Sequence, residues 1–321
     1  MPAETKFELK MGAATREAFG RALVELGHEN KDVVVCDADL SKSTMTTYFQ
    51  KEFPDRFFSF GIAESNMVAA GCGMAYAGKI PFVSSFSAFV INKGFEQLRV
   101  AAAYPNLNVK VVGTHSGISI GEDGPSQMSV EEIGLACSLV NFVVIAPADE
   151  PSCKALVKAA AAHKGPVFIR TGRPKTPIIY GPDQKFDLFQ SIQVMDGRDV
   201  TIIANGLLVA QSILAAEQLE SEGISARVID MHTVKPIDRE AIRRAATETG
   251  AIVVAEEHLV DGGMGVRVAQ VVAETQPCPM EFVGIQETYA ESGQPEELLE
   301  KYGLMAKNVA EAARKVLSRK R

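Results

Sequence analysis

Apolar positions fall in short continuous runs, separated by stretches with helical spacing, from one end of the chain to the other. Residues 33–37, 80–84, 109–113, 142–146 and 166–171 are apolar runs bounded by turn signals, which predicts strands covered on both faces. A shorter run over 57–60 predicts a further buried strand. Helical spacing covers 15–27, 67–77, 88–104 and 149–163. Gly27 suits a helix end, and a helix over 44–53 should stop before Pro54. Ser129-Val130-Glu131-Glu132 has the spacing of a capping box. The stretch 173–187 carries Pro174, Pro177, Gly181 and Pro182 and reads as a linker. The alternation then restarts with strands over 200–204, 226–230, 251–255 and 280–284. Helices over 206–222, 263–274 and 306–320 lie between and after them, and Asp238 is placed to cap one more. Buried parallel strands with crossover helices predict an α/β protein of two doubly wound domains, residues 1–187 and 188–321.

A length of 321 residues allows each domain its own core. The net charge of −7 argues against nucleic acid as the main partner, because phosphate backbones need a basic field. A local basic pocket for one small phosphate is still compatible with it. The basic residues Arg314, Lys315, Arg319, Lys320 and Arg321 read as a solvated helix end. Cys36, Cys72, Cys137, Cys153 and Cys278 are scattered, without metal or redox spacing, so no metal site is expected on this chain. Several of them sit in apolar runs and read as small buried hydrophobes. Residues 1–10 lack an apolar signal region, and no apolar stretch is long enough to span a bilayer. A reducing, cytoplasmic location without membrane attachment is the expectation.

Candidate chemistry concentrates where strands end. In Phe60-Gly61-Ile62-Ala63-Glu64-Ser65-Asn66-Met67, Glu64 stands at a strand-to-helix junction among mostly apolar neighbours. A helix N-terminus favours the carboxylate and desolvation favours the acid, so such a group can share a proton with a ring nitrogen. Taken singly, Glu64 fits an ordinary first-turn acid better. The loop from Gly117 to Gln127 is rich in glycine and polar groups between a strand and a helix, where open α/β sheets bind ligands. His115 precedes it. Phe86 and Phe89 fit a helix core face or a wall for a flat ring. Arg170 and Arg173 flank a strand end, suited to a phosphate or to a surface ion pair. Gly262-Gly263-Met264-Gly265 lacks a full phosphate-loop pattern and reads as tight strand–helix packing.

In their order along the chain these segments resemble the C-terminal two-thirds of transketolase, a thiamine-diphosphate enzyme. The likeness is densest in Ala14-Thr15-Arg16, Asp37-Ala38-Asp39, Phe53-Pro54-Asp55-Arg56-Phe57, Gly61 to Met67, Pro81 to Phe89, Gly121-Glu122-Asp123-Gly124-Pro125-Ser126-Gln127 and Arg170-Thr171-Gly172-Arg173-Pro174. It implies a pyrimidine-binding domain followed by a transketolase C-terminal domain. It also implies that Glu64 hydrogen-bonds N1′ of the cofactor's aminopyrimidine, that Phe86 and Phe89 wall that ring, and that Gln127 lies beside ring and substrate. Some transketolases have His at the Gln127 position, and Gln cannot exchange a proton near neutral pH. His115 and Asp123 resemble contacts to substrate hydroxyls and the carbonyl region; Arg16, Ser43 and Arg173 resemble a clamp on the sugar phosphate.

Two departures from the family pattern stand out. The segment 90–94 is one residue longer, so Asn92 and Lys93 receive no role. The Gly-Asp-Gly motif with a following Asn, which binds the diphosphate and its metal, is absent; Asp261-Gly262-Gly263 has neither its order nor its context. The chain therefore looks like the second subunit of a split transketolase. Thiamine diphosphate would be shared with a separate N-terminal subunit that carries the Mg2+ or Ca2+ site. Self-association through the pyrimidine domain and an assembly with two copies of each chain are expected. The alternatives are a 2-oxo-acid dehydrogenase beta chain, a deoxyxylulose-phosphate synthase-like enzyme, or a non-catalytic regulatory protein on the same fold.

Overall fold

The computed structural model describes residues 9–320. Met1 and Arg321, which enter the reading of the chain start and the basic tail, lie outside them. The apolar runs form two sheets. In the larger, strands lie in the order Thr233–Lys235, Val143–Ile145, Val167–Arg170, Lys110–Thr114, Ile80–Phe86, Val33–Asp37, Phe57–Ser59. All neighbours pair parallel except the first strand, which runs antiparallel to Val143–Ile145. The smaller sheet has the order Met280–Ile285, Ile252–Leu259, Val200–Ala204, Ala226–Asp230, Ile192–Met195, with only the last antiparallel. Val33–Asp37 and Val200–Ala204 are buried along their whole length, as a strand covered by helices on both faces must be.

The two halves are more interleaved than the alternation suggests. Thr233–Lys235 belongs by sequence to the second half yet extends the first sheet. The predicted linker contains the strand Lys175–Pro177, which pairs antiparallel with Met11–Ala14 and ties the start of the first domain to its end. The apolar cores also merge: Met67 and Val83 share one cluster with Ile203 and Met264. Ile118 and Ile120 of the Gly-rich loop, with Val130 just beyond it, pack with Val200, Leu208 and Leu298 of the second domain. That loop is thus built into the neighbouring domain's core.

Four local expectations are corrected. The strand at 57–59 is a partly exposed edge, with Phe58 at the surface, rather than buried. The helix over 44–53 is two short pieces, Ser41–Thr44 and Thr47–Glu52, divided at Met45 in the left-handed region. The first long helix, Thr15–Glu29, runs past Gly27, whose missing side chain makes room for Phe53 and Phe49. The capping box at Ser129 does not form: the helix begins at Glu132, whose carboxylate is taken by buried Arg170 2.6 Å away. By contrast Asp149 and Asp238 both accept a hydrogen bond from a backbone N–H three residues on and cap their helices.

Candidate active site

Every sequence-predicted site residue comes from the first domain, from elements that surround the carboxyl ends of its parallel strands. Glu64 opens the helix Glu64–Tyr76, its side chain buried. Oε2 lies 3.2 Å from Lys93 Nζ, and Oε1 is buried without a hydrogen-bond partner. Lys93 also places its ammonium 4.5 Å from the Phe89 ring centroid. Phe89 stacks on Phe86 at 5.7 Å, and Phe86 stacks on His115 at 3.9 Å between centroids. His115 Nε2 is 3.0 Å from Arg16 Nη1, which also donates to the Ser43 carbonyl at 2.8 Å. Six of the predicted residues therefore form one continuous row of contacts, with Lys93 as a link that sequence reasoning missed.

The row constrains protonation. Arg16 can only donate, so His115 Nε2 accepts and the ring proton sits on Nδ1, donating to Thr114 Oγ1 at 2.8 Å. This tautomer is assigned from the hydrogen-bond network. Burial, followed by the charges of Arg16 and Arg173, pushes the His115 pKa down to about 3, so the ring is neutral at pH 7. Its backbone is held at φ 58°, a left-handed conformation that costs on the order of 1–3 kcal/mol in a non-glycine residue and that surrounding structure must impose.

Arg173 is near enough for its charge to act on His115 and Arg16 of this row. It donates to the Ile120 carbonyl and to Glu122 at 2.8 Å, and stands 3.8 Å from Asp123. Burial and then the like charge of Arg173 lower the Arg16 pKa, and Arg16 Nε is buried with no acceptor. Two guanidiniums that repel each other beside an unfilled donor make a place for an anion. Gln127 shares the Gly124 turn but makes no side-chain hydrogen bond, and it joins neither the row nor the Arg173 group.

Arg170 departs from both of its sequence readings. It is buried, donating to Glu132 Oε1 at 2.6 Å and to the Glu257 carbonyl at 2.7 Å, and it binds the two domains together. The Gly262–Gly265 segment does have an anion at its helix N-terminus, supplied from within: Glu256 accepts from Met264 N and Gly265 N, each at 2.8 Å. A Cβ on Gly263 would lie 2.5 Å from that carboxylate, which is the tight packing expected there. The five cysteines are free, and burial raises the thiol pKa of each, to about 12 at Cys36 and about 11 at Cys72. Among the described residues no group of three or more His, Cys, Asp or Glu could hold a metal, and no helix is long and apolar enough to cross a membrane.

Two linked α/β units therefore carry a buried, half-satisfied carboxylate joined through Lys93 to stacked aromatics. The transketolase pyrimidine-binding domain family matches residues 11–178 and the transketolase C-terminal domain family residues 191–309. The chain belongs to the transketolase family, a family of transferases that use thiamine diphosphate. A Methanocaldococcus jannaschii protein, whose name describes a transketolase C-terminal section, is 42% identical over 92% of this chain and 93% of its own length. The 6-deoxy-6-sulfo-D-fructose transketolase subunit of a Clostridium species (strain MSTE9) is 38% identical over 98% of each chain. Human transketolase is 37% identical over 99% of this chain, which spans 51% of the human protein. A solved structure described as a split gene transketolase, inactive beta4 tetramer, superposes with a TM-score of 0.91 at 48% identity, over 97% of this chain and 100% of that one.

Proposed function

We propose that this chain is the C-terminal subunit of a split transketolase. Together with a separate N-terminal subunit it transfers a two-carbon ketol unit from a ketose phosphate to an aldose phosphate. The observation that carries this reading is the buried, unpartnered Oε1 of Glu64 at the head of the contact row. Such an atom is costly unless a ligand completes it. Thiamine diphosphate, when bound, supplies the carbanion chemistry of the transfer.

The residues of this chain orient and hold. With the cofactor bound, the free oxygen of Glu64 would hold N1′ of the aminopyrimidine by a hydrogen bond, while Lys93 holds the other oxygen at 3.2 Å. Phe86 and Phe89 would wall the ring, and Gln127 would lie beside ring and substrate. His115, neutral at working pH, and Asp123 hydrogen-bond the sugar hydroxyls and the carbonyl region. Arg16, Ser43 and Arg173 receive the anionic end of the sugar. The diphosphate and Mg2+ or Ca2+ belong to the partner chain, and this chain self-associates through its pyrimidine-binding domain. The division at residues 187 and 188 is part of the same reading. Because paired guanidiniums accept a phosphate or a sulfonate, and a relative matched over 98% of its length is named for a sulfonated ketose, both substrate types belong in the assay.

The test is ketol transfer by the chain reconstituted with its N-terminal partner, thiamine diphosphate and Mg2+. Glu64→Ala should lower turnover by about 10²–10⁴-fold, the usual worth of a positioned proton-transfer group. Unchanged transfer by that variant would reject the reading.

A further inference from the structure

We propose that Glu257, a residue of the second domain, is the positioning residue that sets the loop bearing Asp123 and anchoring Arg173. The inference rests on the proposed function for its kinetic consequence, and on geometry alone for its structural one. Glu257 lies in the strand Ile252–Leu259, with its side chain buried. Its Oε1 accepts the Ser119 N–H at 2.7 Å, across 138 residues of sequence. Ser119 is the middle of the single turn Ile118–Ile120, and the carbonyl of the following residue, Ile120, accepts from Arg173. Arg173 in turn pairs with Glu122 and stands near Asp123. One carboxylate of the second domain thereby fixes the turn on which Arg173 is anchored.

The fit is steric as well as polar. Gly117, at φ 82°, faces the Glu257 carboxylate so closely that a Cβ would lie 2.1 Å from Cδ. Gly121, at φ 85°, abuts Pro295 and the Gly293 carbonyl of the same domain. Between them Ile118 and Ile120 are fully buried in the second domain's core. Glu257 is itself held: Arg170 Nη2 donates to its carbonyl at 2.7 Å and lies 3.6 Å from Oε2. Arg170 is fixed on its other side by Glu132. The second domain supplies none of the predicted site residues, and its contribution is to seat the loop that carries them.

The experiment begins with amide hydrogen exchange on the full chain. Glu257→Ala removes the acceptor and should speed exchange at Ser119 by at least about tenfold, the scale of one hydrogen bond to a charged group. Exchange in the strand Val33–Asp37 should hold steady. Glu257→Gln, whose side-chain carbonyl still accepts the N–H, should recover most of the protection. Glu257→Met keeps the volume without the acceptor and should behave like Ala, which keeps the test open should the Ala variant not fold. In the reconstituted complex, Glu257→Ala should raise KM for the anionic sugar about tenfold and change kcat by less than about threefold, the loss of one charge-assisted contact to the bound sugar. If no transfer occurs in the wild type, the functional reading fails while the exchange result still stands. Unchanged exchange at Ser119 in both Ala and Met variants overturns the proposal. So does a Gln variant as unprotected as Ala, or a kcat loss with KM unchanged.

Discussion

Glu64 and Glu256 are both nearly sealed from solvent and both sit at helix N-termini, yet they are finished differently. Glu256 comes from a strand and caps the helix Met264–Glu274, with each oxygen receiving a backbone N–H at 2.8 Å. Glu64 is the first residue of its own helix; one oxygen faces Lys93 and the other is buried with no hydrogen-bond partner. Burial raises the Glu256 pKa, and the two N–H bonds oppose that. An open buried oxygen is not confined to Glu64: Glu132 Oε2, Asp230 Oδ1 and Glu257 Oε2 are also buried with no hydrogen-bond partner. What sets Glu64 apart is its place, opening a helix at the end of the contact row that runs through Lys93, Phe89 and Phe86.

This comparison breaks if stability does not divide the same way. Glu256→Ala strands two buried N–H groups at a helix start and should cost about 2–4 kcal/mol of unfolding free energy, read from denaturant midpoints. Glu64→Ala, despite equal burial, should cost less than half as much, because only one half-exposed lysine loses its partner. Equal losses would mean that Glu64 is as structural as Glu256.

A smaller effect concerns His115. Its folded pKa, near 3, lies below the ordinary value of 6.5, so between those limits the unfolded chain binds the proton and the native chain does not. The contribution is fully present above pH 6.5 and is lost as pH falls toward 3. His115→Gln should therefore make the fall in stability between pH 6.5 and 4 shallower by up to about 1.4 kcal/mol per pH unit, one proton's worth. Buried Asp230, held up to about 8, works in the opposite direction over much of this range, so the comparison is between variant and wild type rather than on the absolute slope.

Much of the fold is legible in the chain itself. The buried strands announce themselves as apolar runs, and Asp149 and Asp238 cap their helices as their positions suggest. Pattern fails where tertiary partners decide. Glu132 looks like the end of a capping box until a buried arginine claims it. Thr233–Lys235 is too short to reveal which sheet it joins. Lys93 resembles any helix-surface lysine; its one signal is the extra residue near it, and π-turns at Leu98–Ala103 follow directly on the same helix. Glu257 carries a hint of its own, since Glu256, Glu257 and His258 form a polar run inside an otherwise apolar strand. Charges in such a place need partners, and the partners are the neighbouring domain's loop and Arg170.

The central claim is that the open Glu64 oxygen is half of a cofactor site, completed by another chain. The most direct measurement is calorimetric titration of thiamine diphosphate with Mg2+ into this chain, into its N-terminal partner, and into the two together. The account predicts tight, magnesium-dependent binding only by the mixture, weakened when the mixture carries Glu64→Ala. Equally tight, magnesium-dependent binding by this chain alone would contradict it.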